Sequence, residues 1–151
     1  MDPLSIAAGS AGLITACGKL SLFINDVISK YKNVDATIRL LSVEITSLSQ
    51  VLESIERSFK DPVLATAALT SRTGHEGAYW QNVKRSIDDC GGTLNRLQAI
   101  LEALMKAEVS VLGRSRQFVT LERKSVELEL LRREVTSYRE TMKLSLHMIS
   151  L

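Results

Sequence analysis

The chain has 151 residues, a net charge of +2, 45% apolar and 24% charged residues, and only 5% aromatics. That length fits one domain with a usable core, and so small a net charge gives no ground for a nucleic-acid partner. Few aromatics and only two prolines point away from β-rich folds and toward helices. Two cysteines, Cys17 and Cys90, do not make a disulfide framework and read as reduced thiols of an intracellular protein.

The opening, MDPLSIAAGSAGLITACGKLSLFINDVI, contains a single charged residue, Lys19, between Pro3 and Asn25. It lacks the positive n-region of a secretory signal and the Met-Gly start that permits myristoylation. A bilayer span needs about 20 residues, so the segment is long enough to cross one. Its Gly, Ser, Thr and Ala content makes it a mediocre span, and Lys19 would have to snorkel. Asp2 can cap a helix whose first residue is Pro3.

Four segments repeat one spacing. Ile6, Ser10, Leu13, Cys17, Leu20, Ile24, Val27 and Tyr31 follow one another by alternating steps of four and three. Val34, Ile38, Leu41, Ile45, Leu48, Leu52, Ile55 and Phe59 do the same, capped by Asn33 or Asp35. Asp61-Pro62 repeats the opening device and predicts a short helix over 63–69. Thr73 and Glu76 have capping-box spacing ahead of Trp80, Val83, Ile87, Cys90, Leu94, Leu97, Leu101 and Leu104. Gly91-Gly92 within that stretch marks a kink or a close helix approach. Beyond Gly113 a looser stripe runs through Phe118, Leu121, Leu128, Leu131, Val135, Tyr138, Met142, Leu146 and Ile149. Four–three stepping places these side chains in one seam along a helix. Short connections favour antiparallel neighbours. The expected fold is therefore an all-α, mostly antiparallel four-helix bundle, with a short extra helix between the second and third long ones. It forms a single domain over 1–151, expected to be the N-terminal module of a longer protein.

Catalytic machinery is not legible. His75 and His147 have no second ligand at metal spacing, and Cys17 and Cys90 fall on apolar stripes, where a thiol is a small core residue. Asp88-Asp89 reads as a solvated helix face, and no phosphate loop or nucleophile elbow occurs. No enzyme activity and no cofactor are expected. On the fourth helix Arg114, Arg116, Arg132 and Arg133 are interleaved with glutamates. Mixed signs at this spacing make a solvated face with i,i+4 pairs such as Glu129–Arg133. The alternative is attraction to anionic lipid headgroups or a partner module.

The first helix is unusual because Leu4, Ala8, Ala11, Ile14, Leu22, Phe23 and Ile28 lie off its stripe, where a peripheral helix shows polar residues. Ala8, Gly12 and Ala16 have small-xxx-small spacing, which suits close helix approach in the bundle, self-association or a membrane.

Asp2-Pro3-Leu4-Ser5-Ile6-Ala7, followed by Gly12-Leu13, resembles the start of the HeLo-like (HELL) domains. These stand at the N-termini of fungal NLR-type (STAND) receptors and cell-death effectors. Beyond about Ile28 the similarity is one of helical pattern and length. The resemblance implies a bundle like the HeLo domain and the four-helix domain of mixed lineage kinase domain-like protein. It also implies cell killing at membranes, as in heterokaryon incompatibility and programmed cell death, after oligomerisation driven by amyloid-signalling or NLR-type modules. Those modules do not occur in these residues, which leaves the trigger open.

Together these readings give a membrane-targeting, pore-forming or membrane-disrupting domain. Its expected partners are membrane lipids, anionic ones among them, and copies of itself. It would move from the cytoplasm to the plasma membrane on activation. The residues expected to enter lipid are Leu4, Ile6, Leu13, Ile14, Leu20, Leu22, Phe23 and Ile24. The alternative is a non-lytic helical adaptor or oligomerisation module.

Overall fold

A computed structural model describes residues 3–30, 36–60, 75–106 and 113–150, with side chains described for 5–29, 36–59, 79–103 and 126–148. Each segment is one helix: α1 (Pro3–Lys30), α2 (Ala36–Lys60), α3 (His75–Lys106) and α4 (Gly113–Ser150). No strand occurs among the described residues. The caps predicted at Asp2, Asn33, Asp35, Asp61 and Thr73 and the short helix over 63–69 lie outside them, as do the side chains of Leu4, Arg114, Arg116, Phe118 and Leu121.

The four–three stripes are the core. Every stripe residue of α1 from Ile6 to Val27 is buried, and so is every one of α2 from Ile38 to Ile55, of α3 from Trp80 to Leu101, and Leu128, Leu131, Val135 and Met142 of α4. Alternation of four and three keeps such residues within a narrow arc of a helix whose turn is 3.6 residues. Trp80 of α3 reaches Phe59 near the end of α2, ring centroids 4.6 Å apart and tilted by 50°, a favourable aromatic geometry.

α1 packs on α2 and α3, and α4 packs on α2 and α3; the α1–α4 and α2–α3 pairs are diagonal. The bundle is thus two αα-hairpins, α1–α2 and α3–α4, laid face to face. Within the α3–α4 hairpin Thr93 meets Tyr138 and Arg96 meets Glu134, the order of contacts that antiparallel helices give. α1 and α3 run parallel, because Gly9 of α1 faces Ile87 and Leu13 faces Gly91.

That parallel seam is where glycine matters. A Cβ on Gly9 would sit 2.9 Å from Ile87 Cγ2, whereas one on Gly91 would meet Leu13 Cδ2 at an ordinary 3.8 Å. The close approach foreseen at Gly91-Gly92 is therefore made by Gly9, and the helix of α3 continues through both of its own glycines. α3 also buries more than its stripe. Ser86, Thr93 and Ile100 join Cys90 and Leu97 in a second four–three row, which widens the face that α3 turns to its neighbours. Burial pushes the Cys90 thiol up to about 12, with Cys17 adding to the shift, so Cys90 is a poor nucleophile at neutral pH.

Candidate functional site: the outer face of the first helix

The buried stripe of α1 accounts for one side of the helix. Half a turn away, Ala8, Ala11, Thr15, Gly18 and Leu22 form a second row with steps of three and four, and all five are exposed. The row is smooth and uncharged. The Thr15 hydroxyl donates to the Ala11 carbonyl at 3.1 Å, so even that polar group is partly turned back on the helix. A Cβ on Gly12 or Gly18 would meet nothing within 4 Å. Leu22 stands 74% exposed at the end of the row, beyond Lys19 and before Asp26, both exposed.

The residues singled out for lipid entry divide between the two faces. Ile6, Leu13, Leu20 and Ile24 are buried in the bundle core. Ile14 and Phe23 are half-buried and packed against it, and Leu22 alone among the described ones is fully outward. Of the small-xxx-small residues, Ala8 and Gly12 are exposed and Ala16 is half-buried. The spacing therefore does not serve the bundle at Gly12, which meets open space. Ser5–Ser29 is long and apolar enough to cross a membrane, and only 28% of its most apolar stretch is buried. A core helix and an N-terminal signal sequence pass the same test of length and composition.

One buried group on α1 is unpartnered. Ser10 is fully buried, and its Oγ has no hydrogen-bond partner among the described residues, a situation that costs about 1–3 kcal/mol.

On the opposite side of the molecule the charged residues are tied to one another. Arg132 donates from Nε to Glu129 Oε2 at 2.9 Å and lies 3.9 Å from Glu44 of α2. Arg133, 71% exposed, pairs with Glu129 at 3.4 Å, the i,i+4 pair expected from the sequence. The Arg132 guanidinium holds the Glu129 carboxyl at about 2, and the carboxylate in turn raises the Arg132 pKa. Arg139 donates to Glu44 at 3.2 Å and pairs with Glu140 at 3.0 Å. Between α3 and α4 the buried Thr93 hydroxyl donates to Glu134 at 2.8 Å, and Arg96 donates to the same carboxylate at 3.0 Å. These partners are far apart in sequence, and nothing in the local pattern of Thr93 or Glu44 announces them. Arg132 and Arg133 pair within the chain, Arg133 while largely exposed. Large apolar side chains are also exposed on α2 (Leu40, Val43) and α4 (Val126, Leu130, Leu144), and α1 differs in presenting an uncharged row. Among the described residues no group of three or more His, Cys, Asp or Glu stands together as a metal site would.

The profile of the family described as "Pigment biosynthesis cluster protein PigL N-terminal" matches residues 1–151. No match was found among curated proteins or among solved structures.

Proposed function

We propose, for a chain that belongs to the PigL N-terminal family, that it is a membrane-directed helical module whose first helix meets lipid through its outer face. The single observation carrying this reading is that the most apolar helix of the bundle leaves an uncharged row, Ala8 to Leu22, exposed within Ser5–Ser29, a stretch long and apolar enough to cross a membrane. Leaving water contributes roughly 1.5–3 kcal/mol for each large apolar side chain. One exposed Leu22 with a row of small residues gives a weak attachment, and clustering of copies multiplies weak attachments. The finer reading, drawn from the resemblance to HeLo-like domains, is a pore-forming or membrane-disrupting cell-death domain. In that reading oligomerisation releases the buried Ile6, Leu13, Leu20 and Ile24 into the bilayer, and the protein moves from cytoplasm to plasma membrane.

The family description favours a second reading. A pigment-biosynthesis setting, taken from the family description, suits a module that joins proteins. In that case the same row of α1 is a protein–protein surface of a non-lytic adaptor or oligomerisation module.

Vesicle binding and dye release with anionic liposomes separate these readings. Thr15→Glu and Leu22→Glu place a charge on exposed positions. The bundle should stay folded, because surface changes usually fall within about 0.5 kcal/mol. In an inserted helix a central charge costs about 2.5–3.5 kcal/mol, so both variants should lose vesicle binding. Leu13→Glu should unfold the bundle. Binding retained by folded Thr15→Glu and Leu22→Glu overturns the lipid assignment. Binding without dye release selects attachment over lysis, and no binding by the parent chain selects the protein–protein reading.

A further inference from the structure

The four interfaces of the bundle are not equivalent. Among the described residues the α1–α2 and α3–α4 interfaces, each within a hairpin, are the more extensive; the α1–α3 and α2–α4 seams between hairpins are the thinner. The α1–α3 seam includes two glycines, Gly9 against Ile87 and Gly91 against Leu13. A glycine contributes no side chain to interlock, so less bulk has to be withdrawn when such a seam parts. Phe59 of α2 also reaches across to Trp80 of α3, and the α2–α4 seam carries an ionic contact in which Glu44, its side chain 15% exposed, meets Arg139 and Arg132.

The cluster that receives Glu44 is assembled on α4 itself. Arg132 also pairs with Glu129, and Arg139 with Glu140, both acids being on α4. Withdrawal of α2 therefore strands no buried arginine without an acid, and the carboxylate that leaves regains water. A buried charge left unpaired is what makes most ion-pair ruptures severe, and here α4 avoids it. Within the α3–α4 hairpin, by contrast, Thr93, Arg96 and Glu134 are joined across the helix pair.

We propose that the bundle opens along the seam between its hairpins, with α1 and α2 leaving α3 and α4 as one unit and Glu44 as the releasable latch. α1 does not peel away alone, because its more extensive interface is with α2. The inference concerns opening of the soluble bundle and stands whichever partner the outer face of α1 meets.

Native-state hydrogen exchange on the full chain tests it. Sub-global openings show as groups of amides that share one opening free energy. Once the hairpins part, α3 and α4 remain tied through Thr93, Arg96 and Glu134 while α1 and α2 fray as one unit, so amides of α1 and α2 should form such a group, exchanging faster than the core amides of α3 and α4. Glu44→Gln should accelerate the α1 and α2 group by a common factor of about ten, as loss of one charge-assisted bond predicts. Glu44→Asp keeps the charge but withdraws it by one methylene. It should give the same pattern at smaller amplitude, and it serves if Glu44→Gln fails to fold. Three results would overturn the proposal: acceleration of α2 without α1, equal acceleration of all four helices, or no change in any helix.

Discussion

α1 and α3 lie side by side, run in the same direction and each touch two other helices, yet they use their sequences in opposite ways. α1 is almost free of charge and buries only one row of residues. α3 exposes Arg85, Asp88, Asp89 and Glu102 and buries a double row that includes Ser86, Thr93 and Ile100. Average hydropathy would rank them the other way round. What decides burial is how much of a helix its neighbours can reach, and α1 offers more apolar surface than two neighbours cover. The excess lies in the outward row from Ala8 to Leu22, which is why that row, rather than a cavity or a polar cluster, is the candidate site.

The contrast can be broken most forcefully in the core. Leu97 of α3 is fully buried, so Leu97→Ala should lower unfolding free energy by about 2–5 kcal/mol. Leu22→Ala on α1 should change it by less than about 0.5 kcal/mol. Urea titrations of the two variants check both, and equal losses would mean that Leu22 is covered in solution.

The buried hydroxyls sharpen the contrast further. Thr93 is bonded to Glu134 and Ser10 to nothing among the described residues. Thr93→Val should therefore destabilise the protein by about 1–3 kcal/mol. Ser10→Ala should stabilise it by about 1 kcal/mol, since it removes an unpaired group and improves helix propensity. Shifts of opposite sign in the thermal midpoint are the expected outcome.

A third pair lies within α1. Gly12→Ala meets open space and should gain up to about 1 kcal/mol from helix propensity. Gly9→Ala presses on Ile87, and overpacking of about 1–3 kcal/mol should cancel or exceed that gain. If both glycines respond alike to alanine, the close approach of α1 to α3 is not as described.

The smallest effect concerns acid. Glu129 titrates at about 2 in the folded chain, below its ordinary 4.5, chiefly because of Arg132. A depressed carboxyl contributes stability above its unfolded pKa, and that contribution is lost as pH falls through the folded value. The pair with Arg132 should therefore weaken only between about pH 4.5 and 2. An NMR titration of the Glu129 carboxyl should show this low midpoint in the parent and an upward shift in Arg132→Gln.

Much of the architecture is legible in the sequence because a helix seam is a local property. Four–three spacing marks which side of each helix is apolar before any partner is known, and Leu48, Leu52, Leu94, Leu97 and Leu131 are buried as their spacing predicts. The odd apolar surface of α1 is equally local and was visible at Ala8, Ala11 and Leu22. The order of the helices around the bundle is not local. No spacing says that α3 sits beside α1 and diagonal to α2, and so none could show that Gly9 rather than Gly91 makes the closest approach. For the same reason the second buried row of α3, the Glu44 contact with Arg132 and Arg139, and the bond from Thr93 to Glu134 belong to the tertiary structure. Each depends on which two helix faces meet, and at what height along their axes, which is decided by the packing of the whole core rather than by either strand of sequence.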